Sequence, residues 1–103
     1  MSGSKADVLL VRGAPGVGKT TACRKLRKLI PEGAVIEVDA LRGMIAGVRW
    51  VDTEHHLVAL DHALLLIRAF LEKGFRPVVL VDTFSRGKLQ RFAADLPFSY
   101  RVA

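Results

Sequence analysis

Three glycines, one lysine and two threonines stand at a spacing that can hold phosphate, in the run Gly13-Ala14-Pro15-Gly16-Val17-Gly18-Lys19-Thr20-Thr21. The run fits the pattern G-x-x-x-x-G-K-[ST]. Glycines without a Cβ let the backbone approach a ligand closely. Successive N–H groups then converge on an anion. A helix starting near Gly18 adds the partial positive charge of its N-terminus. Lys19 supplies a full charge for the β- and γ-phosphates, and the Thr20 hydroxyl is placed for Mg²⁺. Thr21, the next residue, is placed to touch the α-phosphate. All nine residues, from Gly13 to Thr21, are therefore the expected cradle of a nucleoside triphosphate. The plain alternative is a glycine turn between a strand and a helix.

Two carboxylates could complete such a site. Asp82 follows the apolar run Val78-Val79-Leu80-Val81. An acid after an apolar strand, downstream of a glycine-rich phosphate loop, is the pattern that holds Mg²⁺ directly or through water. Asp39 follows a second apolar strand, and ligands of open parallel sheets collect at the carboxyl ends of strands. Asp39 also reads as a helix cap. Of the three histidines, His55 and His62 share a helical face, but no cysteine or carboxylate completes a metal set with them. His55 or His56, near a helix start, reads either as a substrate contact or as structural. Cys23, the only cysteine, lies on an apolar helix stripe and reads as a buried thiol.

The elements that must position these groups alternate between strand and helix. Residues 7–12 are apolar almost throughout, as in a parallel strand covered on both faces. Residues 18–30 place Ala22, Cys23, Leu26, Leu29 and Ile30 at helical spacing, with Arg24, Lys25, Arg27 and Lys28 on the outer side. Pro31-Glu32-Gly33 ends that helix. Residues 34–38 are the second strand, and residues 41–46 a short helix. A loop with the only tryptophan, Trp50, follows; this ring either stacks on a ligand or caps the core. Residues 53–73 form the longest helix, with Leu57, Leu60, Leu64, Ile67 and Leu71 as its apolar stripe. Asp52 or Thr53 caps its start and Gly74 its end. Residues 76–81 are the third strand, with Pro77 at its first position. Ser85 caps a helix over residues 86–96, and residues 98–102 are a fourth strand.

The chain has 103 residues, half of them hydrophobic, and a formal charge of +6. That length bounds it to one domain, residues 1–103. The positive balance suits polyanions, nucleotides or nucleic acid among them, or is simply a solvated basic surface. Asp61, His62, Arg68 and Glu72 interrupt the longest apolar helix, so no membrane span is expected. Met1 to Lys5 is short and polar, unlike a signal peptide. The expected location is cytoplasmic.

The run Gly13 to Thr21, then Val38-Asp39-Ala40-Leu41-Arg42, then Val81-Asp82-Thr83 with Arg86 just after, resembles the P-loop kinases. Within them it is most similar to the group holding the kinase domain of polynucleotide kinases, chloramphenicol phosphotransferase and zeta toxins. The resemblance implies a three-layer α/β P-loop NTPase fold. Its parallel sheet has the order 2-3-1-4-5, with helices on both faces, and strands 2-3-1-4 of it are expected in this sequence. It implies transfer of the γ-phosphoryl of ATP, with Mg²⁺, to a hydroxyl. Asp39 then resembles the general base, and Arg42 the residue that orients an anionic or polar substrate. Asp82, with Thr20, would hold the metal, and Thr83 and Arg86 would line the acceptor side. The resemblance also implies a lid helix carrying arginines and a fifth strand after the fourth. The sequence stops at Ala103 ahead of both, so a truncated form of that fold is expected.

Three functions remain on these residues. The first is an ATP-dependent phosphotransferase acting on a hydroxyl of a small molecule or a nucleic-acid end, its acceptor unidentified. The second is a non-catalytic ATP- or GTP-binding module, or a subunit that needs a partner. The third is a basic nucleic-acid-binding protein using Arg24, Lys25, Arg27 and Lys28, although no reading motif or aromatic platform accompanies them. Self-association through the exposed edge of the fourth strand is a further expectation.

Overall fold

The computed structural model describes residues 6–13, 17–51, 53–83 and 86–102. Among them, β1 (Val8–Arg12), β2 (Ala34–Glu37), β3 (Val78–Asp82) and β4 (Tyr100–Val102) form one sheet in the order β2-β3-β1-β4. Every pairing is parallel. The architecture is α/β, and it agrees with the expected strand order. β3 is central and buried along its whole length. It pairs with β1 from Val8↔Val78 to Arg12↔Asp82 and with β2 from Ala34↔Val78 to Glu37↔Val81. β4 pairs with β1 alone, and its three residues are exposed.

Strand side chains alternate between the two faces, and the core divides accordingly. Val8, Leu10, Ile36, Val78 and Leu80 point into one apolar cluster. There they meet Ala59, Leu60, Ala63, Ile67 and Leu71 of α3 (Thr53–Glu72) and Leu89 and Ala93 of α4 (Arg86–Ala94). Val79 and Val81 point the other way, onto Cys23 and Leu26 of α1 (Val17–Leu29), together with Leu9, Val11 and Val35. Cys23 is buried, and Arg24, Lys25, Arg27 and Lys28 face solvent. Among the described residues no helix is long and apolar enough to cross a membrane.

The buried stripe of α3 differs from the expected one. His56, Ala59, Leu60, Ala63, Ile67 and Leu71 are buried, whereas Leu57 is 51% exposed. The inward face is rotated toward His56, because that is the side which meets β3. The short helix also lies elsewhere than expected. α2 (Val38–Arg42) begins directly after β2, drawn inward by Val38, which is fully buried. Thr53 is already helical, and Asp52 and Ser85 lie outside the described residues. Pro77 stands just before β3, and its bond to Arg76 is cis.

Two glycines hold the joints. Gly74, at φ +91°, takes the left-handed conformation that closes α3. Its N–H donates to the Leu71 carbonyl at 3.0 Å, and the Phe75 N–H donates to the Phe70 carbonyl at 3.0 Å. The Phe70 and Phe75 rings then meet edge to face with centroids 5.6 Å apart. This is a Schellman closure with its apolar contact. Gly33 lies where β2 begins against the turn into β3. A Cβ there would stand 2.2 Å from the Pro77 carbonyl oxygen.

Candidate functional site

β1 delivers the chain to Gly13, the first residue of the glycine run. The Gly13 N–H donates to the Asp82 carbonyl at 2.8 Å. The start of the run and the end of β3 are thus bonded neighbours at the carboxyl edge of the sheet. α1 begins at Val17. Ala14, Pro15 and Gly16 lie outside the described residues, as do the side chains of Val17 and Lys19; Gly18 is helical. Thr20 and Thr21 stand exposed early in α1.

Asp82 owes its position to strand alternation. Val78 and Leu80 point to the α3 face, so the next residue but one, Asp82, points there too. It is 1% exposed. Its Oδ1 accepts the Thr83 N–H at 2.8 Å. Its Oδ2 lies 2.5 Å from Nε2 of His56, which is also buried. On the other side of that ring, Nδ1 lies 3.4 Å from Lys88 Nζ on α4. An ammonium can only donate and a carboxylate can accept, so both partners favour the tautomer with the ring proton on Nε2, directed at Asp82. Two helices therefore converge on the acid that ends β3.

Asp39 and Arg42 lie on α2, across β3 from β1 in the order of the sheet. Asp39 is partly buried in the first turn of α2, behind Glu37 at the N-cap, and its carbonyl accepts the Gly43 N–H at 2.9 Å. It is therefore not the cap of a helix starting at Leu41. The Arg42 guanidinium turns onto the following loop. Its NH2 group donates to the carbonyls of Arg49 and Trp50, and its carbon stands 5.3 Å from the centre of the Trp50 ring. Trp50 is 53% exposed beneath that cation and does not cap the core. The Arg49 N–H donates to His55 Nδ1 at 3.0 Å, so His55 anchors the same loop to α3. His62 turns its ring back to the Val58 carbonyl.

A cavity of about 580 Å³ opens beside β4, with Arg12, Leu89, Ala93, Tyr100 and Val102 in its walls. Arg12, the residue before the glycine run, is its link to the loop.

Reading the sequence missed Lys88, and it named His56 as a substrate contact or a structural residue without its pairing to Asp82. The signal was present in two phases: residues 56, 60, 63, 67 and 71 keep helical spacing, and residues 78, 80 and 82 keep strand spacing. Among the described residues no three His, Cys, Asp or Glu side chains cluster as a metal cage. The donors available, a carboxylate and a threonine hydroxyl, are hard oxygens. They suit Mg²⁺, which keeps several waters and takes further ligands from phosphates. No family model matches the chain, and no curated protein matches its sequence.

Proposed function

We propose that the chain is an ATP-dependent phosphotransferase with a hydroxyl acceptor, built as a P-loop kinase. The observation that carries this reading is the bond from the Gly13 N–H to the Asp82 carbonyl, 2.8 Å. It joins a phosphate-loop sequence to a strand-terminal acid in an all-parallel sheet. In this reading the backbone of residues 13–18 and the Lys19 ammonium bind the triphosphate, with Thr21 beside the α-phosphate. Thr20 and Asp82 would hold Mg²⁺, which would offset the charge of the phosphates. Asp39 accepts the proton of the attacking hydroxyl. The new bond is from acceptor oxygen to the γ-phosphorus; the bond broken is from that phosphorus to the β–γ bridging oxygen, which leaves with ADP. Arg42 orients the acceptor through the loop that it grips. The protein's contribution is positioning and charge, with no covalent intermediate.

Calorimetry with Mg·ATP tests the reading, beside Lys19→Ala. Micromolar binding that the variant loses is the expected result, followed by label transfer from γ-phosphate to hydroxyl acceptors that Asp39→Asn reduces at least a hundredfold, the upper range for a general base being about 10⁴. No binding by the native chain overturns the reading. Binding without transfer to any acceptor, small molecule or oligonucleotide end, reduces it to a nucleotide-binding module.

A further inference from the structure

Two side chains at the end of β3, His56 and Lys88, have no part in the function proposed above. Both ring nitrogens of His56 are engaged, Nε2 by Asp82 at 2.5 Å and Nδ1 by Lys88 at 3.4 Å. An imidazole engaged on both sides is poorly suited to take a proton from a substrate. It is well suited to hold a neighbour still.

We infer that His56 is a positioning residue, which fixes the Asp82 carboxylate beside the phosphate loop, with Lys88 fixing the imidazole as its Nε2–H tautomer. The inference rests on the reading of Asp82 as the carboxylate on the metal side. An aspartate at a strand end has several staggered rotamers open to it. Here one oxygen takes the Thr83 N–H and the other the His56 N–H, so the two donors together restrain the carboxylate. A carboxylate has about four acceptor sites over its two oxygens. The two donors use one on each, so both oxygens keep capacity for water or cation. Partners of this kind behind a metal ligand change affinity by about 10–100-fold when removed. The backbone of Asp82 is fixed independently, by the Gly13 N–H at its carbonyl. His56 thus governs the side chain alone.

The test has two readouts. Ring ¹⁵N shifts of His56 report the tautomer in the native protein with no ligand added; a proton on Nε2 is expected, and a ring with its proton on Nδ1 alone overturns the inference. ATP affinity by calorimetry, in EDTA and in saturating Mg²⁺, gives the gain due to the metal. His56→Leu should lower that gain about tenfold, with a smaller change in EDTA, and His56→Gln, which keeps an N–H donor, should recover part of it. An unchanged gain in His56→Leu overturns the inference and leaves the phosphotransferase reading standing. No binding of ATP by the native protein overturns both. Lys88→Met carries the test should His56→Leu fail to fold. It keeps the imidazole and its bond to Asp82 while removing the contact at Nδ1, and should lower the Mg²⁺ gain by less than His56→Leu does. A Mg²⁺ gain that Lys88→Met leaves unchanged overturns the inference.

Discussion

The imidazole of His56 stands 2.5 Å from the Asp82 carboxylate, Nε2 to Oδ2, with both side chains buried. It ties the first turn of α3 to the end of β3. Elsewhere α3 packs on the sheet through Ala59, Leu60, Ala63, Ile67 and Leu71. The bond adds a directional polar contact to that close-packed apolar face.

Removing either partner leaves the other buried and short of a hydrogen bond. Such a group costs about 1–3 kcal/mol, and the lost volume adds to this. We expect His56→Leu and Asp82→Leu each to lower stability by about 2–4 kcal/mol in urea unfolding. The double variant should be less destabilised than the sum, with a coupling of about 1–3 kcal/mol. Additive losses would show that the two residues do not act as a pair.

The glycine joints give a second expectation. Gly74→Ala keeps the Schellman closure only by forcing an L-residue to φ near +91°, a conformation that costs about 1–2 kcal/mol. Gly33→Ala forces the Pro77 carbonyl, part of the turn into β3, to move from a 2.2 Å approach. Overpacking of that kind costs about 1–3 kcal/mol. For a chain of this size, each kcal/mol lowers Tm by about 4–8 °C. Gly47→Ala is the control, since a Cβ there meets nothing within 4 Å. Melting curves in which Gly33→Ala and Gly47→Ala coincide would contradict the close approach.

The parallel sheet was legible in the sequence because β1 and β3 are short apolar runs, which strands covered on both faces must be. Helix phase was less legible. Leu57 looked inward by its chemistry, yet the inward residue is His56, whose polarity is accommodated by an acid that belongs to another element. No reading of α3 alone could pair them; the pairing needs the alternation of Val78, Leu80 and Asp82 across from it. The start of α2 was misjudged for a related reason. Val38 looked like the last strand residue, but its burial is compatible with a helix that turns straight off β2. The spacing of the glycine run carries the phosphate-loop expectation, and β1 before it and α1 after it agree with the strand and helix that this expectation needs. What faces it from α3 and α4 is set by tertiary packing, and no local pattern carries that.

The loop between α2 and α3 depends on Arg42, and the single tryptophan of the chain reports on it. Arg42 gives the loop donors for the Arg49 and Trp50 carbonyls and a cation over the Trp50 ring. Arg42→Ala removes all three contacts and leaves the Arg49 N–H to His55 bond as a remaining tie. The cation–ring term at a half-exposed site is about 0.5–1 kcal/mol, so global stability should fall modestly. The local effect should be larger: acrylamide quenching of Trp50 should rise and its fluorescence anisotropy fall. Arg42→Lys should resemble Arg42→Ala, because an ammonium lacks the planar fork that reaches two carbonyls. Unchanged quenching in Arg42→Ala would refute the grip. The same variants separate two ways in which Arg42 would serve an acceptor. If it acts through the loop, transfer activity and quenching change together across Arg42→Ala, Arg42→Lys and Trp50→Leu, with the last followed by activity alone. If activity falls in the Arg42 variants and survives in Trp50→Leu, the guanidinium contacts the acceptor itself.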